Sequence, residues 1–155
     1  MSTERAKAHL AKWGADKKVL EFDVSSATVA LAAEALGCEP ARIAKTLSFK
    51  TPEEKAILIV AAGDVKIDNR KFREYFGFKA KMLSPDEVEP MTGHAVGGVC
   101  PFGICEGVMV YLDESLRRFD TVYPAAGGSN TAIELTMDEL YEYSSAVSWV
   151  DVCKV

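Results

Sequence analysis

Ile43-Ala44-Lys45-Thr46-Leu47-Ser48-Phe49-Lys50-Thr51-Pro52-Glu53-Glu54-Lys55-Ala56-Ile57-Leu58-Ile59-Val60-Ala61-Ala62 is the stretch on which the fold turns. Two strand-forming runs flank Thr51-Pro52-Glu53-Glu54, where a proline fixes its own φ and two carboxylates keep the segment in water. The second run, Ala56 to Ala62, is apolar without alternation, as expected of a strand covered on both faces. The first, Arg42 to Phe49, carries one lysine, Lys45, among apolar neighbours. The pattern predicts a β-hairpin with Lys45 emerging from its first strand.

Outward from the hairpin, helices and short strands alternate. Ser2 is expected to cap a helix running to about Trp13, with Ala6, Leu10 and Trp13 on one face and Gly14 ending it. Lys18 to Phe22 alternates as a strand. Ser26 is expected to cap a helix over Ala27 to Leu36, stopped by Gly37 and, for want of charge, largely buried. Asp68 is expected to cap a basic helix through Phe76 that carries Arg70, Lys71 and Arg73. Lys79 to Leu83 reads as a short strand. Ser84-Pro85 opens a helix with proline at its first position. Val108 to Leu112, Thr121 to Tyr123, Thr131 to Leu135 and Ser148 to Val152 read as strands. Thr136 and Glu139 form a capping-box pair before a last helix. The fold class this implies is mixed α/β (α+β): one domain over 1–155, with a curled, mostly antiparallel, barrel-like sheet flanked by helices.

At 155 residues and 48% hydrophobic content the chain suits one domain with a real core. A net charge of −5 argues against a general nucleic-acid coat but not against a local basic patch. No apolar stretch approaches the length that spans a bilayer, and the N-terminus lacks a signal-peptide core, so no membrane association and a cytoplasmic location are expected. Cys38, Cys100, Cys105 and Cys153 include no CxxC pair, and His9 and His94 are the only histidines. No metal site and no cofactor are expected from so few soft ligands, and the cysteines are expected to be reduced thiols.

The second informative stretch is Gly93-His94-Ala95-Val96-Gly97-Gly98-Val99-Cys100-Pro101-Phe102-Gly103. Four glycines and a proline in eleven residues make a shaped loop whose backbone N–H groups can face a ligand. Lys45 and this loop are expected to meet and form the active site. A second small-residue loop, Pro124 to Asn130, includes Gly127, Gly128 and Ser129.

These residues resemble the YbaK/prolyl-tRNA synthetase editing-domain family. The shared features are a strand lysine in Ala44-Lys45-Thr46-Leu47, a Gly-His-x-x-Gly-Gly-x-x-Pro-x-Gly loop, and a late Gly-Gly-Ser loop before Ile133-Glu134-Leu135. The resemblance runs from about Glu4 to Val152. It implies a barrel-like α/β domain that hydrolyses misacylated tRNA, mostly tRNA(Pro) carrying cysteine, alanine or a similar small amino acid. At this length it implies a free-standing, trans-acting member. Its partners would be the tRNA acceptor end and prolyl-tRNA synthetase. Lys45 matches the family's essential lysine, Gly97 to Pro101 its Gly-x-x-x-Pro loop against the aminoacyl group, and Gly127, Gly128 and Ser129 its second loop. The catalytic set it implies is Lys45, Gly97 and Gly98. The substrate-binding set is Thr46, His94, Val99, Cys100, Pro101, Gly103, Asp113, Gly127, Gly128 and Ser129. One departure stands out: Asn130-Thr131-Ala132 occupies the place where many members have a basic residue followed by glycine.

The chemistry asks little of a nucleophile. An aminoacyl ester is already activated, so positioning, oxyanion stabilisation and admission of water suffice. No Ser-His-Asp or Cys-His motif is visible. The resemblance implies reliance on substrate groups, a ribose hydroxyl or a substrate thiol. Taken alone, Lys45 equally suits a strand-edge lysine reaching water. His94 suits a structural role holding the loop, and Cys100 a small buried filler without an activating partner. Asp113 suits a turn as well as a pocket. A non-catalytic module that binds an aminoacyl end would use the same contacts, and turnover separates the two.

Overall fold

In the computed structural model, which describes residues 2–155 without the side chain of Ser2, the run Ile43–Lys50 pairs antiparallel with Ala56–Ala62. The register runs from Ala44 opposite Ala62 to Lys50 opposite Ala56. These are β2 and β3. The other strands are β1 (Leu20–Glu21), β4 (Lys66–Ile67), β5 (Met109–Asp113), β6 (Thr121–Pro124), β7 (Thr131–Ala132), β8 (Leu135–Thr136), β9 (Ser148–Val150) and β10 (Cys153–Lys154). The α-helices are α1 (Ser2–Leu10), α2 (Val29–Leu36), α3 (Asn69–Phe76), α4 (Pro85–Thr92) and α5 (Met137–Ser144). The cap expected of Ser2 lies outside what is described.

The main sheet has the order β8-β6-β2-β3-β5-β9 and curls into a half-barrel. β3 lies at its centre, between β2 and β5, and every one of its residues is buried. That is the physical reason for its unbroken apolar run, since full burial of each Ile, Leu or Val contributes about 1.5–3 kcal/mol. The mixed fold class is as the sequence predicts. The strand directions need a correction in the main sheet. The pairs β2·β6, β3·β5 and β5·β9 are parallel, and only β2·β3 and β6·β8 are antiparallel. Long connections through helices and loops return the chain in the same direction, and no hairpin turn signals them in the sequence. Two antiparallel ribbons, β1·β7 and β4·β10, stand apart from this sheet.

The caps follow local chemistry. The Asp68 carboxylate accepts the N–H groups of Arg70 and Lys71 at 3.0 and 3.1 Å and opens α3. Thr136 and Glu139 form the reciprocal box that opens α5, and Ser84 with Glu87 does the same for α4. Four expectations change. α2 begins at Val29, capped by Thr28, whose Oγ1 accepts the Leu31 N–H at 3.2 Å. Ser26 instead donates to the Ser129 carbonyl at 3.3 Å. α2 is also less covered than its composition implies: only Ala32 and Ala33 are buried, and Leu31 is 41% exposed. The strand expected over Thr131 to Leu135 breaks into β7 and β8, which pair with β1 and β6 respectively. The strand expected over Lys79 to Leu83 reduces to a single bridge from Met82 to Phe49.

Candidate active site

The pairing of β2 with β6 covers only Ile43 and Ala44. On the same edge, contact with the 80s segment begins at Ser48, whose carbonyl accepts the Leu83 N–H at 3.2 Å. Between those two contacts Lys45, Thr46 and Leu47 face a cavity of about 440 Å³. The start of α2 (Thr28, Val29, Ala32) closes one side. Met82, Leu83 and Val88 close another, and Val96, Gly97 and Val99 of the glycine loop a third. Tyr123, Ala125, Thr131 and Ala132 complete the wall. Lys45 and the loop therefore meet across one cavity.

Lys45 is half-buried. Its ammonium donates to the Gly63 carbonyl at 3.5 Å and to the Val65 carbonyl. Burial pulls its pKa below the usual lysine value, opposed by the neighbouring Cys153 and Asp64. The Thr46 Oγ1 is buried and has no hydrogen-bond partner. A buried hydroxyl left unpaired costs about 1–3 kcal/mol.

The glycine loop has two sides. Gly97 and Val99 line the cavity. Gly98 turns to the second small-residue loop: a Cβ there would lie 2.6 Å from the Gly127 carbonyl oxygen and 3.1 Å from the Gly128 Cα. Glycine is required at 98 because two backbones touch. The Gly98 N–H is itself bonded to the Ala95 carbonyl at 3.0 Å. Behind the cavity wall His94, Cys100 and Phe102 are fully buried, and Pro101 is buried beside them. The His94 Nε2 lies 2.6 Å from the Phe102 carbonyl and 3.6 Å from the Cys100 Sγ, and its Nδ1 is buried without a partner. Burial holds the imidazole below its ordinary pKa and pushes the Cys100 thiol up to about 12. A thiol so protonated and so covered does not attack an ester at neutral pH. Gly103 packs on α1, where a Cβ would lie 2.4 Å from the Arg5 carbonyl oxygen, and the Arg5 Nε donates to the Gly103 carbonyl.

Four other expected site residues lie away from the cavity. Asp113 is 1% exposed and accepts the N–H groups of Ser115 and Val152, each at 2.9 Å, tying the C-terminal segment to β5. Gly127, Gly128 and Ser129 border a groove shared with Thr3, Glu4 and Lys7 of α1. The Asn130-Thr131-Ala132 departure has a local use. The Thr131 Oγ1 receives the N–H groups of Ala126 and Gly128, both at 3.0 Å, and fixes the Gly-Gly turn that Gly98 touches. Asn130 Nδ2 donates to the Phe22 carbonyl at 2.9 Å.

Sequence reading missed Thr28, Val29, Met82, Val88, Tyr123 and Thr131 as cavity residues. Most carry no distinctive chemistry, and only the tertiary fold brings them together. The apolar rim, with Met82 and Val96 57% and 63% exposed, shows only in the folded structure. Among the described residues, no group of three His, Cys, Asp or Glu side chains is placed to hold a metal ion, and no helix is long and apolar enough to cross a membrane.

The uncharacterized protein YwhH of Bacillus subtilis (strain 168) is 56% identical over 154 residues, spanning 99% of this chain and 98% of its own. The EbsC protein of Enterococcus faecalis (strain ATCC 700802 / V583), whose name makes it a candidate Cys-tRNA(Pro)/Cys-tRNA(Cys) deacylase, is 30% identical over 109 residues, 70% of this chain and 66% of its own. A crystal structure described as a candidate trans-editing enzyme for prolyl-tRNA synthetase superposes with a TM-score of 0.88 at 31% identity, covering 99% of this chain and 98% of the other. The model of the aminoacyl-tRNA editing domain matches residues 24–143, the span that holds β2, the glycine loop and every wall of the cavity, and the chain belongs to that family.

Proposed function

We propose that residues 1–155 act as one trans-editing hydrolase that removes a small, wrongly attached amino acid from tRNA, with tRNA(Pro) carrying cysteine or alanine as the substrate. The observation that carries this reading is the meeting of Lys45 and Thr46 with Gly97 and Val99 around one cavity of about 440 Å³. The candidate deacylase and trans-editing names of similar proteins support it. The protein works in the cytoplasm beside prolyl-tRNA synthetase, where mischarged tRNA(Pro) arises.

In this reading the aminoacyl ester enters over the Met82–Val96 rim. Lys45 leaves its carbonyl partners to face the terminal phosphate or the oxyanion that develops on the ester carbonyl. The Thr46 hydroxyl takes the polar group it now lacks. Backbone N–H groups at Gly97 and Val99 orient the carbonyl and amine. Water adds to the ester carbon, the acyl–oxygen bond breaks, and the ribose oxygen leaves with a proton. The free amino acid and intact tRNA are released. The buried Cys100 and His94 shape the loop and take no part in bond making. The positioning alone is sufficient because the ester is activated before it arrives.

The test is hydrolysis of tRNA(Pro) charged separately with alanine, cysteine, 2-aminobutyrate, serine and proline, by wild type and Lys45→Ala. Selective, lysine-dependent release of one misattached residue is expected. Binding without release of any of them would assign a non-catalytic module instead.

A further inference from the structure

The segment from Lys66 to Lys81 has six basic residues against Asp68 and Glu74, a net charge of +4, so the rest of a chain of net charge −5 carries −9. The fold neutralises only part of this charge. Arg70 is taken by Glu74 at 3.0 Å, and Lys71 by Asp151 at 3.1 Å. Lys66, Arg73, Lys79, Lys81 and Lys154 are exposed and have no ion pair among the described residues. Lys66 and Lys154 stand directly opposite each other in the β4·β10 ladder. Like charges in that position oppose pairing. The neighbouring acid, Asp68, caps α3 and also feels the charge of Lys154.

The face has a hollow and a direction. Arg70, Arg73 and Lys79 line a surface hollow with Asn69, Ala80 and a single acid, Glu74, which is paired with Arg70. From Lys79 the chain runs through Lys81 to Met82 and Leu83, which are walls of the cavity. The Lys81 carbonyl accepts the Lys50 N–H at 2.8 Å, which holds this basic strip alongside β2. A polyanion lying along α3 would thus reach the cavity at Met82.

We propose that this face binds the sugar–phosphate backbone of the RNA whose acylated end occupies the cavity. The identity of that RNA as tRNA rests on the deacylase reading above. Regularly spaced phosphates suit exposed, unpaired lysines and arginines, and the acidic remainder of the surface confines the contact to this side. An anionic bilayer is a poorer match. The apolar side of α3 is used inside the fold, with Phe72 against Phe49 at 5.0 Å and Phe76 against Phe72 at 4.6 Å, so no apolar stripe is left to insert.

The experiment compares wild type, an Arg73→Glu/Lys79→Glu double variant, the milder Arg73→Gln/Lys79→Gln, and a control reversal, Lys12→Glu/Lys17→Glu, in the N-terminal region. Three quantities are read: kcat/KM on full-length mischarged tRNA, hydrolysis of an aminoacylated CCA trinucleotide, and the salt dependence of Kd for uncharged tRNA. The double reversal is expected to lower kcat/KM on full-length tRNA at least about tenfold and to reduce the slope of log Kd against log salt by about 1.5, as for two lost phosphate contacts. The Gln pair gives a smaller loss, and the trinucleotide is hydrolysed as by wild type. Unchanged full-length activity and slope would overturn the proposal. So would equal loss on the trinucleotide, or equal loss in the control. Reversal-sensitive binding to phosphatidylserine vesicles with tRNA binding unmoved would also overturn it. If wild type hydrolyses no mischarged tRNA, the deacylase reading fails by itself, and the salt slope for uncharged tRNA still decides whether this face binds RNA.

Discussion

The two sides of the glycine loop differ sharply although they alternate along eleven consecutive residues. Gly97 and Val99 face the cavity, whereas His94, Cys100 and Phe102 are shut away behind it. The residues with the most evident chemistry, an imidazole and a thiol, are on the covered side. The cavity side offers backbone, small apolar side chains, a lysine and one unpaired hydroxyl. The lesson is that this loop is anchored by its reactive-looking residues and presents its plain ones. That division suits a reaction in which the substrate ester is already activated.

The comparison breaks most directly at Lys45. Lys45→Ala is expected to lower the deacylation rate by at least about a hundredfold, the scale of losing one electrostatic stabiliser, with the melting temperature little changed. A mutant that unfolds would place Lys45 on the structural side instead. Gly98→Val tests the contact between the two small-residue loops. A Cβ 2.6 Å from the Gly127 oxygen forces the loops apart, and a stability loss of about 1–3 kcal/mol is expected by denaturant titration, with activity falling as the cavity wall shifts.

Cys100→Ala sharpens the contrast from the covered side. It is expected to destabilise by about 1 kcal/mol, the scale of a small buried truncation, and to leave the deacylation rate within a few-fold of wild type. With a pKa near 12 and no exposure, Cys100 should also resist iodoacetamide in the folded protein at pH 8, read by mass spectrometry. His94 gives the smallest effect. Burial lowers its native pKa below the unfolded value of about 6.5, so the unfolded chain takes up the proton first. Stability from this group is complete above about pH 6.5 and falls as pH drops through the window below it. The loss in melting temperature between pH 7.5 and 5.5 should be smaller in His94→Gln than in wild type. An equal loss would mean that His94 binds its proton as readily in the native state as in the unfolded chain.

What was legible in the sequence was what short-range chemistry decides. The β2·β3 hairpin, the Asp68 cap and the Thr136–Glu139 box each depend on residues within a few positions of one another, and each forms. The apolar run of β3 announced a central strand because burial on both faces leaves that mark. The parallel pairings left none, since the returning chain is far away in sequence. The break between β7 and β8 comes from two different partners, β1 and β6, which no local pattern in Thr131 to Leu135 encodes. At the site, Lys45 and the loop were legible because a lysine in an apolar strand and four clustered glycines are unusual. Which loop residues face inward was not, because an irregular backbone has no fixed side-chain period. The tie from Thr131 to the Gly-Gly turn was equally hidden, because its partners are fixed by the shape of the loop.

The most direct test of the division between the two sides is a single-turnover deacylation of mischarged tRNA(Pro) by wild type, Lys45→Ala and Cys100→Ala, each verified as folded by circular dichroism. Loss of hydrolysis in Lys45→Ala with near-wild-type rates in Cys100→Ala is the predicted result. Hydrolysis that survives without Lys45 and vanishes without Cys100 would contradict it, and would move the chemistry to the side of the loop that the fold has closed.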